Sequence, residues 1–314
     1  MKLNQLKFRN VAVFAAFPVV MSLSSCDDSL EVIQTVNEEF TDVNSIEAET
    51  GFLEFTYQGD PEATSITMEG NLEANKPGKF EIEYRVENGV LKIELDQNSL
   101  NGGNSKGYVH LTGPSLVDFD LESSSGNNRI SGLHATHVEI DGGSGNVDLD
   151  DVVSTSIDIE LGSGNINGTN LEGNLELKIS SGNIDLRSVQ GNVNMDGSSG
   201  KIFLSQVDGR VNAKLSSGLI ELVDVKELAK LEASSGNISA SNSGLGTQSN
   251  FRASSGNISI KTFSILTDYN YDLSAGSGRI AVGESVSGGS LKINNGSPYT
   301  VVGSVSSGNI EIRN

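Results

Sequence analysis

Three acidic side chains recur at matching places in the second half of the chain, and carboxylates could do chemistry there. Asp148, Asp185 and Glu221 each stand three residues after a glycine of a repeated segment, and Glu311 does so near the C-terminus. Clustered carboxylates on one face of a protein can serve as acid, as base or as calcium ligands in polysaccharide chemistry. Because other copies interrupt this column, a solvated acidic face is the favoured interpretation and an enzyme the alternative. The interrupting residues are Asn167, Phe203, Ser239, Ser259 and Ala281.

Two other patterns resemble metal sites but are incomplete. His134 and His137 have a zinc-like spacing, yet no third ligand cluster accompanies them and Cys26 is the only cysteine. The segment from Gly142 onwards resembles a calcium-binding nonapeptide, but Val147 stands where that motif needs an aspartate. No nucleophile–base pair, phosphate-cradling loop or cofactor fingerprint occurs either. The sequence therefore predicts no metal, no cofactor and no catalytic residue.

The residues above belong to an internal repeat that must position them. The segment Ser-Ser-Gly-Asn-Ile, with near-copies, returns at intervals of mostly 18 to 20 residues, which indicates a repeat architecture. Glycine suits a corner because it adopts positive φ without steric cost. We therefore predict structural turns at ten glycines: Gly126, Gly145, Gly164, Gly182, Gly200, Gly218, Gly236, Gly256, Gly278 and Gly308.

Apolar residues fall into columns when the copies are aligned on this glycine. Isoleucine or valine stands two residues after it and an apolar residue commonly four after it, with polar residues between, which is typical of half-buried strands. A second corner is predicted nine residues on, at Gly173, Gly191 and Gly209. The fold class is therefore all-β: a parallel β-helix, or β-solenoid, with one coil per copy. A meander of hairpins is the alternative.

Asparagine follows the turn glycine in most copies. It tolerates left-handed backbone geometry, and in a stack of coils each asparagine could hydrogen-bond to the asparagine of the next coil. Asn146, Asn165 and Asn183 occupy this position in three successive copies. The sequence thus predicts an asparagine ladder along the edge of the stack.

The N-terminus has the features of a bacterial export signal. Residues 1–25 combine a basic start with a short apolar run and end in Leu23-Ser24-Ser25, followed by Cys26. This tetrad resembles the lipobox of bacterial lipoproteins, and by that resemblance the chain is cut before Cys26, which is then acylated. The resemblance implies a lipid anchor in the cell envelope.

The remaining chain divides into three predicted regions. Residues 26–40 are polar and acidic and are predicted to be the lipidated cysteine and a tether. Residues 41–118 are strand-rich without the repeat and are predicted to be an irregular N-terminal cap, while 119–314 form the regular coils. The last strand ends inside a coil, so its edge is expected to be covered by residues 261–275 or by a second molecule.

From about Phe40 onwards the sequence resembles a family of envelope proteins of Gram-negative bacteria, the auto-transporter adhesins with a head GIN domain. The resemblance rests on the order of several short marks along the chain: Gln58-Gly59-Asp60, Val86-Glu87-Asn88-Gly89-Val90-Leu91-Lys92-Ile93, Leu111-Thr112-Gly113-Pro114-Ser115-Leu116 and the Ser-Gly-Asn-Ile copies. It implies a right-handed β-helix and an outer-membrane setting, on the surface or periplasmic face. No catalytic or binding motif comes with it.

Charge and composition restrict the functions further. The chain carries a formal net charge of −20, which argues against nucleic acid or anionic membrane surfaces as partners. We therefore predict a non-catalytic, lipid-anchored adhesin or structural module whose partners are glycans or envelope proteins. The alternatives are a polysaccharide-active enzyme and a periplasmic scaffold that binds a protein through residues 41–118.

Overall fold

The computed structural model describes residues 29–76, 78–97 and 103–314, so Cys26 and the signal segment lie outside it. The all-β prediction is confirmed, with one short 3-10 helix at Leu266–Asp268. The strands are β1 Glu31–Phe40, β2 Ser45–Gly51, β3 Glu54–Asp60, β4 Ile66–Ala74, β5 Phe80–Glu87, β6 Val90–Gln97, β7 Ser105–Pro114, β8 Asp118–Gln190, β9 Val193–Ser243, β10 Leu245–Ser255, β11 Ile258–Thr262, β12 Asn270–Val282, β13 Ser285–Ile293, β14 Thr300–Ser307 and β15 Ile310–Arg313.

The two longest strands, β8 and β9, wind around the molecule in successive coils. Leu175 pairs in parallel with Val193, and the register continues without an offset to Gln190 and Asp208, always 18 residues apart. A chain that returns beside itself in parallel after one repeat forms a stack of coils, about 4.8 Å per coil. This pairing excludes the meander of hairpins for the regular array.

The apolar columns predicted from the repeat lie inside the stack. Every member of the column two residues after the turn glycine is at most 1% exposed. Burying one such side chain contributes about 2 kcal/mol, and because the column continues from coil to coil the core has no interruption. The column consists of Val147, Ile166, Ile184, Ile202, Ile220, Ile238, Ile258, Ile280 and Ile310.

The seven copies from Gly126 to Gly236 contain a left-handed corner that the sequence prediction missed. In these copies the residue six positions after the turn glycine has a φ between 46° and 65°, although only one of the seven is itself glycine. Of the corners predicted nine residues after the turn, Gly173 and Gly191 have positive φ, whereas Gly209 does not. The additional corner is formed by Gly132, Asp151, Asn170, Ser188, Gln206, Asp224 and Asn242.

The N-terminal end is built from segments that are out of sequence order. β2 lies between β6 and the start of β8, and β3 lies between β7 and β8, all in parallel. β4 and β5 then pair antiparallel with β7 and β6 and cover this end of the stack. The coil that comes first in the sequence, β2 and β3, is therefore second in the stack, counted from the N-terminal end.

Residues 31–40 do not form the tether expected for them, because they are strand β1, paired antiparallel with β4. Val36 is 4% exposed. The Gln34 side chain donates to the Ile82 carbonyl (2.9 Å) and accepts from the Ile82 N–H (2.7 Å), as a neighbouring strand would. β1 thus covers the edges of both β4 and β5, and its acidic composition obscured this in the sequence.

The expected cover of the C-terminal edge by residues 261–275 is met in part, because residues 270–275 of β12 pair with β14 while residues 280–282 pair with β15. β14 and β15 insert between the coil of β10 and β11 and the coil of β12. β12 is consequently the outermost coil. β13 pairs antiparallel with β12 over two segments of β12, which lie between Tyr271 and Val282. An antiparallel strand ends the parallel stack, as at the opposite end.

Candidate functional site

The ten predicted turn glycines form one ladder along the stack. Their φ values lie between 118° and 154°, a region that side chains strongly disfavour. A Cβ on Gly182 would overlap with the carbonyl oxygen of Gly164, and each later glycine meets its predecessor in the same way. At the C-terminal end Gly308 stacks on Gly256, and Gly278 stacks on Gly308. This order agrees with the insertion of β14 and β15 beneath β12.

The predicted asparagine ladder is confirmed in two runs. Asn146 donates to Asn127 (2.9 Å), Asn165 to Asn146 (2.8 Å) and Asn183 to Asn165 (3.0 Å), each through the side-chain amide. The run ends where the backbone N–H of Lys201 donates to the Asn183 side chain (3.1 Å). The second run joins Asn237, Asn257 and Asn309 and ends at the backbone N–H of Arg279.

The acidic column of Asp148, Asp185 and Glu221 is not a cluster of carboxylates. Asp148 contacts Arg129 (3.6 Å) and accepts a hydrogen bond from Asn167. Asp185 accepts two hydrogen bonds from Arg187, at 3.0 and 3.1 Å. Another residue type lies between each acid and the next along the stack, so these carboxylates do not face one another as an acid–base pair.

Glu221 completes this column and is also ion-paired. Its carboxylate lies 2.6 Å from the ammonium of Lys201. Between Asp185 and Glu221 stands Phe203, whose ring has the guanidinium of Arg187 and the ammonium of Lys201 above it. The face therefore consists of separate ion pairs around an aromatic ring.

The two histidines with zinc-like spacing have different partners, and only His137 contacts acidic residues. The His137 ring nitrogens lie 3.3 Å from Glu139 and 3.7 Å from Asp158, and the backbone of His134 bonds to Ser115. Within the three described ranges, no group of three or more His, Cys, Asp or Glu side chains is arranged to hold a metal ion.

A denser group of carboxylates lies on another face, which the sequence prediction missed. We call Asp120, Glu122, Glu139, Asp141, Asp158 and Glu160 the acidic face; they stand at alternate positions of β8 and recur every 19 residues. Aligning the copies at these positions could have found them. Part of this face borders a shallow cavity of about 250 Å³ that ends at Lys178.

The surroundings of the acidic face disfavour the negatively charged form of its carboxyl groups. Partial burial raises the pKa of Asp120, and the like charges of Glu139 and Glu47 raise it further. Burial and then Glu139 and Glu160 raise the pKa of Asp141. The face thus attracts protons and cations and repels anionic polymers.

The described part of the chain contains no helix with the length and hydrophobicity needed to cross a bilayer. Strand β1 begins at Glu31, only five positions after Cys26. An anchor at Cys26 would therefore hold the N-terminal end of the stack close to a membrane surface.

Comparisons with known proteins agree with this architecture. The family model of Toastrack DUF4097 matches residues 47–218 and 173–313. The crystal structure of a "putative adhesin" from Parabacteroides distasonis has a TM-score of 0.56 and 20% identity, covering 76% of this chain and 98% of its own. At this identity the likeness concerns the fold alone.

Two further structures overlap less well. A "putative lipid binding protein" from Parabacteroides distasonis has a TM-score of 0.42, 19% identity and coverage of 74% of this chain and 95% of its own. A "putative adhesin" from Parabacteroides merdae has a TM-score of 0.38, 14% identity and coverage of 74% and 97%. No protein of curated function matches the sequence. The family matches together extend over most of the chain, which therefore belongs to the Toastrack DUF4097 family.

Proposed function

We propose that this chain is a non-catalytic, lipid-anchored adhesive rod of the Gram-negative cell envelope. The observation that carries the proposal is the repetition of the same polar side chains along the outside of the stack, as in the asparagine ladder. A repetitive surface suits a repetitive partner, because many weak contacts along one polymer combine into firm attachment.

The proposed rod has further features that the sequence indicated. The stack is a right-handed parallel β-helix of the kind implied by the head GIN domain resemblance, and residues 41–118 contain its cap. Cys26 carries the lipid, and the outer membrane holds the N-terminal end. The partners are glycans or other envelope proteins and not nucleic acid, since the net charge is −20.

The carboxylates of the acidic column support a role without catalysis. Asp148 and Asp185 are each ion-paired to an arginine, and neither has another acid beside it in the column. In this account Asp148, Asp185 and Glu221 stabilise the outer face of the rod. The names of the similar structures, which include adhesins, point in the same direction.

Two measurements in the native host test anchoring and attachment. A palmitate analogue should label the wild-type chain in the membrane fraction, and Cys26→Ala should abolish both label and membrane retention. Cells that carry the chain should adhere to a surface coated with desialylated and desulfated mucin more than deletion cells do. Unlabelled wild-type chain, or equal adhesion of both strains, would contradict the proposal.

A further inference from the structure

A continuous groove follows the left-handed corner of the stack. We call it the corner groove; it joins three adjoining concavities of about 320, 440 and 580 Å³. The first and second share Val153, and the second and third share Gln206 and Asp208. The groove therefore runs across successive coils, from Leu116 at one end to Phe263 at the other.

The middle of the corner groove presents side chains with unused hydrogen-bonding capacity. Asp151, Asn170, Glu172 and Gln190 line it and are exposed. Among the described residues, none of these four side chains makes a hydrogen bond or an ion pair. Carboxylates accept and amides both donate and accept, which is the combination that binds a row of hydroxyl groups.

An aromatic ring stands at the C-terminal end of the corner groove. Phe263 is 57% exposed, unusual for a phenylalanine, and its ring lies against Gly244, where any side chain would collide with it. Asp224, Asn242 and Lys226 line the groove beside the ring. An open aromatic face among polar groups suits a ligand with one apolar face and hydroxyl groups around its edge, as a pyranose ring has.

The charge and the backbone of the corner groove narrow the class of ligand. Asp151, Glu172, Asp208 and Asp224 outnumber the single cation Lys226, so polymers of uronate or sulfate would be repelled. A peptide that adds a β-strand needs an unpaired strand edge, whereas the inner coils are paired on both sides. The corner repeats about every 4.8 Å, comparable to one sugar unit of an extended chain.

We infer that the corner groove binds an extended, uncharged polysaccharide that runs along the stack, with a sugar ring stacked on Phe263. This inference rests on the proposed adhesive function and names the site and the ligand class for it. The corner residues supply one set of hydrogen-bonding groups per sugar unit. The affinity at each coil is small and adds along the polymer.

Binding of the full chain to dextran, mannan and a mixed-linkage β-glucan tests the inference, with polygalacturonate as the anionic comparison. Affinity electrophoresis should show retardation by at least one neutral polymer and none by polygalacturonate. Phe263→Ala should weaken that binding about tenfold, the loss expected for one aromatic contact. Asn170→Ser with Gln190→Ala should weaken it as well, since both amides line the middle of the groove.

Phe203→Ala is the matched control, because this aromatic ring lies in the acidic column, between Asp185 and Glu221, and does not line the corner groove. It should leave binding unchanged. Failure of all three neutral polymers to bind, equal binding by the Phe263→Ala chain, or a preference for polygalacturonate would each overturn the inference. If adhesion to the desialylated and desulfated mucin still depends on the chain in those cases, the proposed function stands without this site. If that adhesion does not depend on the chain, both the function and the site fail.

Discussion

At the scale of single residues, the repeat is restrictive where the backbones of neighbouring coils approach most closely. The turn glycines combine positive φ with a carbonyl oxygen from the preceding coil in the place of a side chain. Two separate costs, backbone strain and steric overlap, therefore oppose any other residue there. This explains why glycine persists in every copy while its neighbours vary.

Gly182→Ala should destabilise the stack by more than about 3 kcal/mol, because strain and overlap with Gly164 act together. Thermal unfolding monitored by circular dichroism measures the loss. Gly288→Ala is the matched control: a Cβ there would approach no heavy atom closer than 3.9 Å, and its φ is not positive. Equal stability of the two variants would contradict the steric account of the ladder.

The acidic face gives a prediction about pH. The pKa values of Asp120 and Asp141 are raised in the folded chain, so the folded state binds protons more tightly than the unfolded state. These two groups therefore stabilise the folded chain at low pH. Their contribution is lost as the pH rises above about 4 and passes their raised pKa values. The carboxylates facing them are Glu47, Glu122, Glu139 and Glu160, and Lys178 opposes the effect at Asp141.

Replacing both groups by Asp120→Asn and Asp141→Asn should stabilise the chain at neutral pH by less than about 1 kcal/mol, since both are partly solvated. The gain should shrink as the pH falls towards 4 or as salt is added. Thermal midpoints across this range measure it. Asp185→Asn, which removes a partner of Arg187, should give no gain, and a double variant less stable than wild type at neutral pH would refute the argument.

At the scale of elements, the sequence predicts those features that every coil repeats. The column from Val147 to Ile310, the turn glycines and the asparagines could be found because each copy experiences the same surroundings. The corner from Asp151 to Asn242 was missed because left-handed geometry there accepts aspartate, asparagine, serine or glutamine, so no single residue type marks it.

The order of the coils could not be read from the repeat. The copies around Gly278 and Gly308 carry the same pattern, and either would stack on Gly256. What decides between them is the antiparallel pairing of β13 with β12, which leaves the outer edge of β12 covered and its inner edge open for β14 and β15. Local pattern does not specify such pairing between distant segments.

Two adjacent valines of the inserted C-terminal coil differ in burial and test its role at the end of the stack. Val301 is fully buried in β14, whereas Val302 is 39% exposed. Val301→Asp should place an unpaired charge in the core, cost more than about 3 kcal/mol and release residues 270–293 from the stack. Val302→Asp should change stability by no more than about 0.5 kcal/mol.

Hydrogen exchange with mass spectrometry measures the release directly. In the Val301→Asp chain, peptides from β12 and β13 should lose protection while those from the middle of β8 keep it. Unchanged protection of β12 and β13 in that variant would show that the inserted coil does not hold the end of the stack.

At the scale of the whole molecule, antiparallel strands cover both ends of the stack, and the first and last coils of the chain each stand second from an end. The rod therefore presents its sides to partners, with the acidic face on one and the corner groove on another. An anchor at Cys26 would orient the rod from its N-terminal end, leaving the inserted C-terminal coil away from the membrane.

Protease access on intact cells tests the proposed surface rod most directly, with a cleavage site inserted after Gly296. This residue is exposed in the connection between β13 and β14, with no heavy atom near its Cβ position. We expect cleavage of the anchored chain from outside the cell, and release of the Cys26→Ala chain from the membrane fraction. Protection in intact cells with cleavage only after lysis would place the rod inside the envelope and contradict the adhesive function.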